Sequence, residues 1–305
     1  MLRALGHRVR VSVEWDGRPA DLMLALHAKR SHASMVRFSA LHPDRPILLA
    51  LTGTDLYRDL PQDADARDSL RLATAYAVLQ EEALKRLTAS QRQRTVVVYQ
   101  SADAVPRQAG PRGRFQVCVV GHLREVKDPL RCALALPHVD AASRISVIQV
   151  GGAMEPGFAA AAKHLAAAEP RYRWVGEVPH GRARQVMARS QLMVISSLME
   201  GGANVVSEAL AADLPVLASR IPGNVGMLGR DYAGYFPVGN ERALARLMQR
   251  AEQDPLFYRT LLAQCRQRAR LLTPNKEQAS LKRWLALAAS ASTAAKSGTG
   301  VRRSA

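Results

Sequence analysis

The 305-residue chain is long enough for two domains with separate hydrophobic cores, and its hydrophobic content of 48% is ordinary for a globular protein. A formal net charge of +17 invites nucleic acid as a partner, but the arginines are scattered and aromatic residues make up only 5% of the chain. Such a composition offers no platform on which bases could stack, so we expect anionic small molecules rather than nucleic acid as partners.

The three cysteines, Cys118, Cys132 and Cys265, show no C-x-x-C spacing, which argues against a zinc ribbon, a redox pair or a disulfide framework. No apolar run reaches the length of a membrane span, and no signal peptide is visible. We therefore expect a cytoplasmic protein with buried or half-buried free thiols, no bound metal, no cofactor and no membrane partner.

The start of the chain is unusual for a domain built from alternating strands and helices. Residues 1–6 look like the last turns of a helix that stops at Gly6, and residues 9–15 alternate as a strand. We expect the first domain to lack its initial strand, as if the chain began late.

A predicted strand over residues 21–26 leads into the first group of candidate site residues. His27, Lys29 and Arg30 follow the strand and open a helix, and two cations beside a helix amino terminus describe an anion site. The alternative is a helix with an ordinary basic, exposed face, and the residues alone do not decide between the two.

The next predicted strand, residues 46–51, ends in a loop of small residues with one aspartate. Small residues at the carboxyl end of a strand are typical of a loop that faces a ligand cleft. We expect the aspartate to orient a substrate hydroxyl or a cation, the alternative being that it caps the following helix. The loop residues are Thr52, Gly53, Thr54 and Asp55.

A linker divides the chain into two similar halves. Residues 104–114 are rich in proline, glycine and arginine, and strand–helix alternation restarts after them. We predict an α/β fold with a first domain over residues 1–106, a second over residues 107–289, and a small, polar, basic tail over residues 290–305 that is disordered.

The second half opens with a strand, residues 115–120, and a glycine turn at Gly121. Lys127 follows this turn, and a lysine in that place can neutralise a diphosphate. Arg124 could assist it with its fork of donors. Lys127 as a plain surface lysine is the alternative, which its position after the glycine turn disfavours.

The most informative stretch is residues 192–219, which reads as strand, glycine loop, helix and strand, a βαβ unit of a parallel sheet. Glycines and the unpaired first amides of the helix make an anion site suited to a phosphate. Glu200 stands just before the loop, and Glu208 shares a helix face with Asn204. The loop and helix start contain Gly201, Gly202, Ala203, Asn204 and Val205.

The order E-G-G-A-N-V-V-S-E resembles the E-x7-E motif of retaining glycosyltransferases with the two-domain GT-B fold, in the glycogen-synthase-like group. The resemblance implies two Rossmann-like domains that face a cleft, with a final helix that packs back on the first domain. It also implies that Glu208 holds the ribose of a nucleotide sugar and that Glu200 contacts the transferred sugar near its reacting carbon.

Two further segments are similar to that group. The family pattern G-R-L-x-x-x-K is matched at Gly121, Leu123 and Lys127, but His122 replaces the arginine, so either His122 or Arg124 would supply the second cation. The segment with Glu177 and Val178 resembles the part of the family that contacts the nucleobase through its backbone.

The combined pattern of ALHAKRSHAS, LTGTDLYRDL, VVYQSA, VVGHLREVKDPL and EGGANVVSEAL resembles a narrower group, the selenosugar synthases of selenoneine biosynthesis. This resemblance implies a UDP-sugar donor, either UDP-N-acetylglucosamine or UDP-glucose, and selenophosphate as the acceptor. It implies that His27, Lys29, Arg30 and residues 52–55 hold selenophosphate, and that the product is a 1-selenosugar.

Two other functions fit the same residues. One is a GT-B glycosyltransferase with an ordinary hydroxyl acceptor. The other is a protein without catalytic activity that binds a nucleotide or nucleic acid.

Overall fold

The computed structural model describes residues 1–298, which fold into strands that are parallel within each sheet and helices that connect them. The strands are β1 (Met23–Leu26), β2 (Ile47–Leu51), β3 (Ala75–Val78), β4 (Thr95–Val97), β5 (Phe115–Val120), β6 (Ile145–Val150), β7 (Tyr172–Trp174), β8 (Leu192–Ile195), β9 (Val216–Ser219) and β10 (Tyr235–Phe236). The α-helices are α1 (His32–Leu41), α2 (Ala64–Leu72), α3 (Ala89–Gln93), α4 (Arg131–Ala135), α5 (Phe158–Ala168), α6 (His180–Arg189), α7 (Asn204–Ala211), α8 (Pro222–Leu228), α9 (Glu241–Gln253), α10 (Pro255–Ala269) and α11 (Pro274–Gly298). Short turns of tighter or wider helix lie at Leu2–Leu5, Asp55–Asp59, Glu81–Arg86, Glu125–Lys127 and Leu136–His138.

The chain divides into two compact units. The first consists of Met1–Gln100 and the chain from Pro274 onward, and the second is the continuous segment Ser101–Thr273. The division thus falls a few residues before residue 106, where the proline-rich linker had suggested it, and the last helix groups with the first unit.

The first unit is built on a parallel sheet in the order β1-β2-β3-β4. All five residues of β2 are buried, as expected for a parallel sheet that needs cover on both faces. On one face Leu49 and Leu51 pack with Met35 and Phe38 of α1. On the other, Leu48 and its neighbours pack against Trp284 and Ala288 of α11.

The strand predicted at the start of the first unit is wrong. Residues 9–15 form no strand, because Val11 and Val13 have no apolar surface to cover and stay exposed, while Trp15 anchors the segment on Phe38. The tail predicted to be disordered begins as helix, since α11 continues through alanine-rich sequence to Gly298. Residues 299–305 of that tail lie outside the described residues.

The second unit has a six-stranded parallel sheet in the order β10-β9-β8-β5-β6-β7. The chain starts at β5 in the middle, adds β6 and β7 on one side, and then returns to add β8, β9 and β10 on the other. The carboxyl ends of β5 and β8 therefore meet at the point where the strand order reverses. In open parallel sheets this is the position at which ligands bind.

The three cysteines are free and buried, as predicted. Burial raises the pKa of the Cys118 thiol to about 12 and that of Cys265 to about 11, so neither is a thiolate near neutral pH. Among the described residues, no helix combines the length and the apolarity that crossing a membrane requires.

Candidate functional site

The loops after β5 and β8 bring Lys127 and Glu200 together. The Leu198 amide donates to the Val126 carbonyl at 2.9 Å, and the Ser196 hydroxyl donates to the Asp128 carbonyl at 2.7 Å, which fixes one loop against the other. The Lys127 Nζ then lies 2.5 Å from Glu200 Oε1.

This ion pair is buried on one side and open on the other. The Glu200 side chain is 9% exposed, whereas that of Lys127 is 36% exposed. The same carboxylate oxygen accepts a second hydrogen bond, from the Ser197 hydroxyl at 2.6 Å. The carboxylate is thus held by two donors, while the ammonium keeps donors free for an anion that arrives from solvent.

Gly223 packs closely against the backbone of Glu200. The sequence interpretation did not include this glycine in the site. A Cβ at Gly223 would lie 2.1 Å from the Glu200 carbonyl oxygen, so only glycine allows α8 to begin this close to the loop. The signal in the sequence was the pair Pro222–Gly223 at the start of a helix, directly after a buried strand.

Glu208 lies on α7 as its spacing predicted, and its carboxylate accepts from Asn204 Nδ2 at 3.1 Å. Its side chain is 9% exposed. A second partner, His180, was missed: its Nε2 is 2.7 Å from the same Oε1 of Glu208. His180 is the first residue of α6, and only its place after Pro179, at the end of a loop from a strand, could have indicated a role.

The start of α7 leaves backbone amides without partners inside the helix. No side chain of the described residues caps this helix, and the Val206 amide is the first one bonded back, to the Ala203 carbonyl at 2.9 Å. The amides of Ala203, Asn204 and Val205 therefore precede the first bond of the helix. Gly201 and Gly202, together with Ala203, join them directly to Glu200.

The glycine turns after β5 and β6 touch each other. A Cβ at Gly151 would lie 2.0 Å from the Gly121 carbonyl oxygen, and the φ angles of these glycines are +146° and +156°. The His122 Nδ1 accepts from the Gly152 amide at 3.1 Å, which ties His122 to the glycine turn after β6.

Two of the predicted donor-site residues lie after β7, at the same edge of the sheet. Glu177 Oε2 is 3.1 Å from the place where a Cβ of Gly152 would stand, and Val178 is half-buried beside it. Arg124 is exposed, and within the described chain no contact joins its side chain to Lys127 or Glu200. The structure thus brings Lys127 and Glu200 together and leaves Arg124 apart from them.

In the first unit, His27 is buried and belongs to the fold. Its φ of +80° puts the backbone in the left-handed region, its Nδ1 accepts from the Arg30 amide at 3.3 Å, and its Nε2 lies 2.9 Å from the Thr54 hydroxyl. Asp59 is 3.7 Å from the same Nε2. Burial lowers the pKa of His27 below its ordinary 6.5, against the opposing effect of Asp55.

Asp55 does not face a ligand, which corrects the expectation that it orients a substrate hydroxyl. Its side chain is inside the protein, and its carboxylate accepts from the amides of Ala28 at 3.0 Å, Thr52 at 2.9 Å, Gly53 at 2.7 Å and Leu56 at 3.0 Å. These amides come from the loops after β1 and β2. The carboxylate therefore ties the two strand ends together and has no lone pair left for a substrate.

The two cations of this loop differ in what they contact. Lys29 Nζ lies 2.7 Å from Asp63 Oδ2, and this hydrogen bond lowers the pKa of Asp63. Arg30 is exposed, and no side-chain partner joins it among the described residues. Thr52 and Thr54 are half-buried beside them. An anion would meet Arg30 at once and Lys29 only in competition with Asp63.

The sequence profile of the family described as glycosyl transferases group 1 matches residues 102–272, more than half of the chain. Among curated proteins, the chain is 27% identical over 143 residues to the Xenopus tropicalis glycosyltransferase 1 domain-containing protein 1. This match spans 46% of the chain and 41% of that relative, which is less than half of its length.

Among solved structures, Anabaena HepE in complex with UDP and glucose superposes with a TM-score of 0.71 at 17% identity, over 87% of this chain and 78% of that one. An alpha,alpha-trehalose-phosphate synthase (UDP-forming) from Burkholderia vietnamiensis gives 0.73 at 15% identity, over 92% and 74%. At these identities the likeness shows the fold, and it confirms the predicted GT-B class.

Proposed function

The chain belongs to the glycosyl transferases group 1 family, and from that premise we propose that it transfers a sugar from a UDP-sugar, UDP-N-acetylglucosamine or UDP-glucose, to selenophosphate. The family supports the transfer of a sugar. HepE, which binds UDP and glucose, and the UDP-forming trehalose-phosphate synthase support a uridine donor. The motifs that resemble selenosugar synthases support the acceptor.

The observation that carries the proposal is the Lys127–Glu200 pair at the carboxyl edge of the second sheet, which Gly201 and Gly202 join to the uncapped start of α7, the helix that carries Glu208. Chemically, the site combines a cation and unpaired amides with two carboxylates. The cation and the amides suit a diphosphate, and the carboxylates suit hydroxyl groups. A nucleotide sugar presents both chemistries in one molecule.

In the proposed reaction Glu208, held by Asn204 and His180, accepts hydrogen bonds from the ribose hydroxyls. Lys127 and the amides of α7 take up the negative charge that grows on the departing diphosphate, which is where stabilisation lowers the barrier. Glu200 accepts from hydroxyls of the transferred sugar.

Donor binding changes the partner of Lys127. Its ammonium is paired with Glu200 at 2.5 Å, and a bound diphosphate would attract it away from that carboxylate. Ser197 keeps hold of Glu200 Oε1 at 2.6 Å, so the carboxylate stays in place to receive the sugar. The exchange avoids leaving a buried carboxylate without any donor.

Selenophosphate attacks through its selenium. The Se–C1 bond forms as the bond between C1 and the diphosphate oxygen breaks, and UDP leaves with the electron pair. Water then cleaves the Se–P bond of the adduct, which gives inorganic phosphate and the 1-selenosugar. Selenophosphate is already anionic near neutral pH, so the attack needs no general base.

In the first unit we assign the acceptor to Lys29, Arg30 and residues 52–54. His27 and Asp55 are positioning residues in this proposal, since their polar atoms bind Thr54 and the loop amides. They hold the two loops in the shape that presents the cations.

The direct test is to incubate the chain with each UDP-sugar and selenophosphate, and to measure UDP release together with a selenium-containing sugar by mass spectrometry. We expect both products from the wild-type chain, and both to form at least about a hundredfold more slowly with K127A. UDP release without selenium in the sugar would reject selenophosphate as the acceptor and would still support the UDP-sugar as the donor. Absence of UDP release with every acceptor would reject the activity.

The synthase named above makes a phosphorylated disaccharide, and this favours a hydroxyl acceptor as the second candidate. The same assay with sugar and sugar-phosphate acceptors in place of selenophosphate separates the two. A glycoside formed faster than the selenosugar would establish the second candidate.

A further inference from the structure

A second cationic site lies in the second unit, outside the residues assigned to the nucleotide sugar. A cavity of about 280 Å³ opens between α6, the sheet and the linker before β5. Three arginines, Arg173, Arg182 and Arg189, stand around it with two glutamine amides. Its volume is near the lower end of the range for small-molecule sites.

The strand register explains why these side chains converge. Ile148 of β6 pairs with Cys118 of β5 on one side and with Arg173 of β7 on the other, so these residues lie on one face of the sheet. Gln116 is two residues before Cys118 and shares that face. β7 is the edge strand, and Arg173 therefore reaches the cavity from the side of the sheet.

The helix above this face is patterned to match. Arg182, Gln185, Val186 and Arg189 are spaced i, i+3, i+4 and i+7, which places them along one stripe of α6. This stripe borders the apolar one that packs on the sheet, which consists of Ala183, Met187 and Ala188, and its two guanidinium groups lie at the exposed rim of the cavity.

None of the three arginines has a carboxylate partner among the described residues. Arg182 donates to Gln185 Oε1 at 3.1 Å and Arg189 to Gln108 Oε1 at 2.9 Å, and both acceptors are neutral. Arg131 of the same unit, by contrast, is paired with Asp128. Three guanidinium groups without a carboxylate partner around one hollow make a positive site that favours an anion, although solvent screens it at the exposed rim.

The outer wall of the cavity is fixed. The Gln108 amide donates to the Ala188 carbonyl at 3.0 Å, and the Arg107 side chain donates to the Met187 carbonyl at 3.2 Å. A Cβ at Gly110 would lie 2.7 Å from the Arg189 carbonyl, so a glycine lets the linker lie flat against the end of α6. The linker thus completes a shaped pocket.

We propose that this pocket binds a small anion that bears a phosphate or diphosphate group. Guanidinium forks match phosphate oxygens in bidentate geometry, and Ile148 and Val186 offer apolar surface for a compact organic part. The site is distinct from the donor site. His180, beside Glu208, and Arg182 are two residues apart and so lie on nearly opposite sides of α6, and Arg189 lies roughly 13 Å farther along the helix axis than His180. The inference does not depend on the proposed reaction.

The test is a calorimetric titration with inorganic pyrophosphate at fixed ionic strength, in a K127A background that disables the proposed donor site. We expect binding to survive in K127A, and R173A or R182A added to it to weaken the affinity at least about tenfold. R182K, which keeps the charge but loses the fork, is expected to fall in between. R259A, an exposed arginine of α10, is the matched control and should change the affinity less than twofold.

Thermal unfolding of each variant confirms that the fold is retained, and if R173A fails this check, R182A and R182K carry the test. No heat of binding at millimolar pyrophosphate, equal weakening in R259A, or unchanged affinity in R182A would each overturn the proposal. UDP binding, measured separately, should be lost with K127A and kept with R182A. If K127A still binds UDP, the proposed donor site is wrong, and the result for the arginine pocket is unaffected.

Discussion

The Lys127 ammonium and the Glu200 carboxylate form a 2.5 Å contact although 73 residues separate them in the chain. The pair exists because β5 and β8 are neighbours in the sheet, and their loops are hydrogen-bonded through Leu198 and Ser196. The cation assigned to the leaving group is thereby placed next to the acid assigned to the transferred sugar.

Replacing Lys127 by alanine removes the charge that would stabilise the departing diphosphate. We expect turnover of the UDP-sugar to fall by roughly two to three orders of magnitude, with the fold intact. Steady-state UDP release measures the loss, and circular dichroism checks the fold. K163A, at an exposed lysine of α5, is the matched control. Wild-type rates in K127A would remove Lys127 from the mechanism.

Replacing His180 by alanine takes one donor from Glu208 and leaves Asn204 in place. The expected effect is a rise in the KM for the UDP-sugar of about two- to tenfold, with a smaller change in kcat, because one hydrogen bond to a positioning group is lost. H164A, an exposed histidine of α5, serves as the control. An unchanged KM would mean that His180 has no part in donor binding.

A methyl group at Gly223 collides with the Glu200 carbonyl, so G223A must displace the backbone of the site loop. We expect a loss of about 1–3 kcal/mol in the free energy of unfolding and a clear drop in turnover. Urea denaturation and UDP release report the two effects. G181A, where an added Cβ meets no atom within 4 Å, should show neither.

Asn in place of Asp55 turns an acceptor-only group into one whose NH2 faces backbone donors. Because this carboxylate serves four amides inside the protein, D55N should cost about 3 kcal/mol or more of unfolding free energy. D21N, at an exposed aspartate, is the comparison. A stable D55N with impaired acceptor use would restore Asp55 as a binding residue.

The buried His27 predicts a pH dependence of stability. Its folded pKa is lowered by burial, so below its ordinary value of 6.5 the unfolded chain binds a proton more readily than the folded one. Stability is fully present above pH 6.5 and falls as the pH drops below it. Urea midpoints at pH 7.5 and 5.5 should differ more for the wild type than for H27N, which tolerates the positive φ. Equal differences would contradict the assignment.

The sequence predicted the site where local geometry decides it. The spacing of Asn204 and Glu208 on one helix face required only the helix period, and the lysine after Gly121 required only a strand and a turn. Two contacts between distant segments were not predicted. They are the ion pair of Lys127 with Glu200 and the hydrogen bond of His180 with Glu208. They depend on which strands become neighbours, and no local pattern contains that information.

The error at Asp55 has a similar cause. The composition of its loop is the same whether the carboxylate faces a ligand or the protein's own amides. The choice depends on the approach of a second loop, from β1, which supplies the Ala28 amide. The strand predicted over residues 9–15 failed for the converse reason, since an alternating pattern needs a sheet edge to pair with.

The grouping of α11 with the first unit has a consequence for biosynthesis. The strands β1–β4 leave the ribosome early, but Trp284 and Ala288, which cover Leu48 on one face of their sheet, are translated only after the whole of Ser101–Thr273. The amino-terminal half must therefore wait, with an apolar surface bare, while the continuous carboxyl-terminal unit matures first. Nascent chains stalled before Pro274 should accordingly recruit chaperones through that uncovered face.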